Sequence, residues 1–304
     1  MSKTLVIYGF LGSGKTTLIK HLLSEVLSYQ RVVVVENESG RESIDSLKLR
    51  NLGGSIVDMK SGCVCCTLRS ELVTTLAPIE QEIKPDVVIL EPSGLSSLED
   101  IIKIPKFTIS GVIAIIDVSR FDLLMQLNRP FYTRQFQLAP VIILNQKDAD
   151  SKLLANTVRE LSIINPWAQI VTDYHSLPHS WWGEDVYTAY EQFSSYALYS
   201  EYKTPQFHIT TIDLHGGARA ENMQRLMSAL KAHNLMPLRI KGVILGTESS
   251  VVVDAVGESL SMESLSVVPY DKSFLSFWWA EQGDMGLLKQ RLQTLLDSII
   301  YERG

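Results

Sequence analysis

Two hydrophobic rhythms alternate along the first half of the chain. Five short runs are apolar at nearly every position: TLVIYG (4–9), RVVVVE (31–36), DVVIL (86–90), GVIAIID (111–117) and PVIILN (140–145). Runs of that length without polar alternation predict strands buried on both faces, as in a parallel sheet. Between them, TTLIKHLLSEVLSY and ELVTTLAPIEQEI place apolar residues at i, i+3 and i+4, the spacing of amphipathic helices. Strands alternating with helices predict an α/β domain, doubly wound around a mostly parallel sheet.

The rhythm changes near residue 175. HSLPHSWWGEDVYTAYEQFSSYALYSEYKTP mixes turn residues with aromatics and reads as a connection. From Gln206 the order becomes a strand (FHITTIDL), a helix (ENMQRLMSALKAHN), three or four short strands and a closing helix (MGLLKQRLQTLLDSII). The expectation is a first domain over 1–190 and a smaller C-terminal α+β domain over 204–304. His175 and His179 stand four apart, but Pro178 argues against a helix presenting both, so they read as linker histidines. The Trp pairs at 181–182 and 278–279 read as packing.

Composition narrows the classes. A length of 304 residues suffices for two domains with their own cores, and 45% hydrophobic with 20% charged residues is ordinary for a globular protein. The net charge of −6 and the lack of a dense basic run argue against a nucleic-acid partner. No apolar run approaches the roughly 18 residues of a membrane span. MSKTLVIYGFLGSGKTT lacks the apolar core and cleavage site of a signal peptide, so no membrane role and a cytoplasmic location are expected.

The run TLVIY leads directly into GFLGSGKTT. Gly9, four residues, then Gly14-Lys15-Thr16 is a Walker A pattern, the mark of a P-loop NTPase fold. Glycines permit positive φ and close approach, so that successive N–H groups face phosphate oxygens. The candidate phosphate site is Gly9, Gly12, Ser13, Gly14, Lys15, Thr16 and Thr17. Lys15 would reach the β- and γ-phosphates, Thr16 would coordinate Mg²⁺, and the helix starting near Lys15 points its positive end at the anion. A plain glycine turn would need neither Lys15 nor Thr16.

Two further strand ends complete such a site. After DVVIL come Glu91, Pro92, Ser93 and Gly94: a carboxylate able to hold a Mg²⁺-bound or attacking water, and a glycine N–H able to approach the γ-phosphate. After PVIIL come Asn145, Gln146, Lys147 and Asp148, where guanine-binding P-loop proteins carry Asn-Lys-x-Asp. Asp148 is an acceptor-only group; guanine offers it two donors and adenine does not. That favours GTP over ATP, with Asn145, Lys147 and Asp148 at the base. Gln146 departs from the usual Lys, whose stem lies along the base, and predicts weaker nucleotide affinity.

All three cysteines fall in SGCVCCT (61–67). Cys63, Cys65 and Cys66 cannot converge from a regular strand, because period two sends Cys66 to the opposite face; the preceding Ser-Gly permits the turn they need. Three thiolates suit Zn²⁺, Cu⁺ or a related ion. A redox pair of Cys63 and Cys66, or plain packing, are the other readings. Residues 36 to 66 lie between the phosphate-loop helix and the Glu91 strand, where P-loop GTPases place segments that order around the γ-phosphate. Glu36, Glu38, Glu42 and Asp45 share that stretch, and Glu38 is the candidate for a group shared by switch and metal.

Taken in order, GFLGSGKTT, NESGRESID, GCVCC, EPSG and NQKD resemble the CobW-type P-loop GTPases, relatives of the urease and hydrogenase nickel-insertion GTPases. The resemblance covers about the first 150 residues, with a weaker likeness to the family's small C-terminal domain. It implies a GTP-hydrolysing metallochaperone or cofactor-assembly protein. The family pattern would fall on Lys15 and Thr16, on Glu91 and Gly94, on Asn145 and Asp148, and on Cys63, Cys65 and Cys66 for Zn²⁺ or Co²⁺. It further implies a client metalloprotein or cobalamin-pathway partner and admits a homodimer. The chain has no histidine-rich tract, which argues against bulk metal storage. The rival expectation is an ATP-dependent ATPase or kinase with structural cysteines. No arginine finger is identifiable, so intrinsic hydrolysis is expected to be slow.

Overall fold

The structure, a computed structural model, describes residues 2–37, 55–58, 76, 78–94, 96–102, 109–146, 149–175, 177, 179, 181–182, 186, 207–215, 217–246, 249–265, 270–280 and 285–301. The chain divides into two compact units, Met1–Thr204 and Pro205–Gly304.

The first unit is built on seven parallel strands: β1 (Lys3–Gly9), β2 (Val32–Asn37), β3 (Ser55–Asp58), β4 (Val87–Pro92), β5 (Gly111–Asp117), β6 (Val141–Asn145) and β7 (Gln169–Val171). Their order is β3-β2-β4-β1-β5-β6-β7, and every pairing is parallel. The five apolar runs are the five central strands. Val6, Ile7, Val33, Val34, Ile89, Leu90, Val112 and Ile113 are all inaccessible, so residues of both parities are covered. This is the doubly wound α/β architecture of P-loop NTPases. Edge strands β3 and β7, of four and three residues, carry no apolar run of their own and were not expected.

Helices α1 (Lys15–His21), α2 (Leu98–Ile102), α3 (Phe121–Gln137) and α4 (Ser151–Ile164) accompany the sheet. The expected helix over 16–29 is α1 followed by a wide turn over Leu22–Val26, in which Leu27 N–H reaches back five residues to Leu22. Leu18, Ile19 and Leu22 pack with Ile7, Ile89 and Ile143. Trp182 and Val186 join the same cluster. The stretch expected as a linker therefore contributes to this core, because two large apolar side chains at its start find a place to bury.

Helix α3 bends at Asn128, whose backbone is extended (φ −161°, ψ 84°), two residues before Pro130. Asn128 Oδ1 accepts from Phe131 N–H (3.1 Å), so the helix is capped afresh after the bend. The second half carries a ring cluster of Phe131, Tyr132 and Phe136. It also carries Arg134, whose guanidinium grips Glu99 of α2 through two contacts of 3.1 and 3.2 Å, both residues being buried. Gln135, fully buried, accepts from Leu98 N–H (2.6 Å) at the start of α2.

The second unit is a five-stranded antiparallel sheet: β8 (Phe207–Leu214), β9 (Arg239–Ile244), β10 (Ser250–Val256), β11 (Ser259–Leu265) and β12 (Ser273–Ala280), in the order β11-β10-β9-β12-β8. Helices α5 (Met223–Ala232) and α6 (Met285–Ile299) lay Leu226, Leu230, Leu292 and Leu296 against Ile240, Phe277 and Trp279. Across β9 and β10, Arg239 pairs with Asp254 (2.9 and 3.0 Å) and lies over the Trp278 ring. Among the described residues no helix is long and apolar enough to cross a membrane.

The Arg134–Glu99 pair yields a stability prediction. Arg134→Ala strands a buried carboxylate and should cost about 3–5 kcal/mol in denaturant unfolding, whereas Arg134→Leu with Glu99→Leu together should cost markedly less. Equal losses from the single and double variants would show that the pair is not the source of the cost.

Candidate functional site

The phosphate loop leaves β1 at Gly9 in the centre of the sheet, at the carboxyl edge where ligands of open α/β sheets bind. A side chain at Gly9 would lie 2.4 Å from Ser13 Oγ and 2.6 Å from Ile115 O, so only glycine lets the loop turn here. Ser13 N–H closes the turn on Phe10 O (3.1 Å). Gly14, at φ +108°, delivers the chain into α1 in a conformation that side chains disfavour. Phe10 meets the Tyr132 ring edge-on at 5.9 Å, so the second half of α3 supports the loop from below. Burial pushes the Tyr132 phenol well above its usual pKa, and its hydroxyl has no hydrogen-bond partner among the described residues.

Lys15 opens α1 with only 7% exposure. Its Nζ donates to Gly9 O (3.1 Å) and Phe10 O (3.4 Å) and stands 3.8 Å from Glu91 Oε1. The ammonium is thus fixed at the mouth of the loop by two carbonyls and a carboxylate. Thr16 beside it is half-buried, while Thr17 is exposed.

Glu91 is the penultimate residue of β4, the neighbour of β1. Gly94 follows against the loop: a Cβ there would lie 2.7 Å from Leu11 N and 2.9 Å from Gly9 O. Glu36, the penultimate residue of β2, is the register partner of Glu91, and both are buried. The sequence had marked Glu36 only as one acid among several. Its place beside Glu91 comes from the β2–β4 pairing, which no local pattern reveals. These carboxylates and the Thr16 hydroxyl are hard oxygen donors, a set that fits Mg²⁺.

On the other side of β1, Asn145 ends β6 and donates through Nδ2 to Ser13 O (3.1 Å), tying the third strand end to the phosphate loop. Gln146 turns aside, its Nε2 donating to Thr172 O (2.6 Å) just after β7. Asp117, the register partner of Asn145, accepts from Ser119 N–H (3.0 Å) and pairs with Arg120 Nε (3.1 Å), next to the same loop. Neither Asp117 nor Arg120 was singled out from the sequence, although a charge closing the apolar run GVIAIID is a visible signal.

Gly9, Ser13, Gly14, Lys15, Glu91, Gly94 and Asn145 are therefore brought together at one edge. Lys147, Asp148, Glu38, Cys63, Cys65 and Cys66 lie outside the described residues.

Comparison with known proteins gives this edge a lineage. The family profile described as CobW/HypB/UreG, nucleotide-binding domain, matches residues 3–172. The zinc chaperone CobW of Sinorhizobium sp is 32% identical over 126 residues, covering 37% of this chain and 35% of that protein. The zinc chaperone YjiA of Escherichia coli is 31% identical over 186 residues, 56% of this chain and 57% of the relative. The zinc chaperone YeiR of the same organism is 25% identical over an alignment of 334 positions, 97% and 99% of the two chains. The chain thus spans about a third to just over half of the first two relatives and nearly all of the third. Among solved structures, Zn(II)-bound YjiA GTPase from E. coli superposes with a TM-score of 0.45 at 18% identity, over 97% of this chain and 98% of that one. With more than half its length matched by the profile, the chain belongs to the CobW/HypB/UreG family, whose nucleotide-binding domain it carries.

Proposed function

We propose that the chain is a GTP-binding and GTP-hydrolysing metallochaperone. It carries Zn²⁺ or Co²⁺ on Cys63, Cys65 and Cys66 and passes it to a client metalloprotein or cobalamin-pathway protein. The observation that supports this best is the meeting of three strand ends on one loop. Lys15 lies against Glu91, the Gly94 backbone against Leu11 and Gly9, and Asn145 against Ser13. The relatives named as zinc chaperones support the choice of cargo.

In this reading the loop N–H groups from Gly12 to Thr16 cradle the phosphates, and Lys15 neutralises charge on the β- and γ-oxygens. Thr16, with the help of Glu91, would hold Mg²⁺, which when bound would supply positive charge to the phosphates. Glu91 also orients the attacking water, and Gly94 N–H marks the presence of a γ-phosphate. Asn145 braces the loop while Asp148 selects guanine. Glu36 lies beside Glu91 on the neighbouring strand and precedes Glu38 and the cysteines in sequence. Coupling in one direction requires coupling in the other: a nucleotide that changes metal affinity by some factor has its own affinity changed by the same factor.

Zinc titrated into the chain with a non-hydrolysable GTP analogue and with GDP should give different dissociation constants. Cys63→Ser with Cys65→Ser and Cys66→Ser should erase the difference; equal constants in the unaltered chain exclude the coupled reading. Asp148→Asn should relax the preference for guanine, seen by competing ATP against a fluorescent GTP analogue. ATP preference in the unaltered chain favours an ATPase with structural cysteines. Gly94→Ala forces a methyl against the loop backbone, so affinity for the GTP analogue should fall at least about tenfold, more than for GDP; a uniform loss for both places the damage in folding.

A further inference from the structure

His21 of the phosphate-loop helix meets His175 from the segment after β7, outside the machinery described above. His21 closes α1, and His175 follows β7 by four residues. Their ring centroids are 4.8 Å apart at an interplanar angle of 76°. The Tyr174 ring lies 4.2 Å from His175 and 5.3 Å from His21, and Trp182 backs His21 at 6.1 Å. His21 is half-buried and His175 exposed, so one imidazole is fixed by packing while the other faces incoming solutes.

Edge-on ring packing alone explains a pair of histidines among aromatics. The spacing of the two rings goes further. An ion bonded to imidazole nitrogens at about 2.0–2.1 Å, with a tetrahedral angle between them, sets the two ring centroids roughly 5 Å apart, and the observed separation matches.

We propose that His21 and His175 together bind a divalent transition-metal ion of the zinc, nickel or cobalt class, at a site separate from Cys63, Cys65 and Cys66. Among the described residues no three metal-binding side chains converge, so the pair supplies two ligands and water completes the shell. Such a shell exchanges its ion readily. Its place on α1 puts a labile ion on the helix that begins with Lys15 and Thr16. The site does not depend on the cysteine reading or on nucleotide.

The test uses the full chain carrying Cys63→Ser, Cys65→Ser and Cys66→Ser, without nucleotide, titrated with Zn²⁺ by calorimetry and with Ni²⁺ by tryptophan fluorescence. The expected result is one bound Zn²⁺ per chain and quenching by Ni²⁺ through the nearby Trp182, both lost in His175→Gln and in His21→Gln. His175 is exposed, so its variant keeps the fold even if His21→Gln does not, and circular dichroism checks this. Absence of Zn²⁺ binding in the cysteine-free chain, or binding and quenching that survive His175→Gln, overturns the proposal. Failure of nucleotide–metal coupling in the cysteine-bearing chain would leave this outcome untouched.

Discussion

An ammonium group withdrawn from water must be solvated by the protein around it, and Lys15 is withdrawn almost completely. Two carbonyls of its own loop and the carboxylate of Glu91 do this. That requirement fixes much else. The loop must curl tightly enough to present Gly9 O and Phe10 O inward, which demands glycine at 9 and a left-handed Gly14. Strand β4 must lie directly beside β1 to bring Glu91 within reach, which sets the sheet order.

Helix α3 bears on that arrangement from one side. Tyr132 supports Phe10 in the loop, and the next three residues include Arg134 and Gln135, which hold Glu99 and Leu98. One turn of helix therefore fixes both the phosphate loop and the chain just beyond Glu91 and Gly94. A buried ion pair adds little net stability compared with apolar packing, but it defines a single seating for α2. Neighbouring loops that must keep a common geometry gain from that kind of restraint.

The sequence made the interior of the sheet legible and its margins illegible. A strand covered on both faces has no polar positions to confuse its pattern, so GVIAIID and PVIILN announce themselves. Three-residue β7 is half-exposed and owes its existence to pairing with β6. Helix α3 carries Pro130 and a bend, which break the periodic signal. The phosphate loop was readable because its chemistry is consecutive. The partners that surround it are not: Glu36 reaches Glu91 across 55 positions only through strand pairing, and the Asn145 contact with Ser13 spans 132. Gln146 was noticed as a departure, but its bond to Thr172 depends on an edge strand that the sequence did not disclose.

The bend in α3 has a mechanical consequence. Because Asn128 restarts the helix for Phe131, the turns on either side do not share an unbroken ladder of backbone bonds. The turns from Phe131 onward therefore have a cap of their own, separate from the turns that begin at Phe121. The buttress under the phosphate loop is insulated from fraying on its upstream flank.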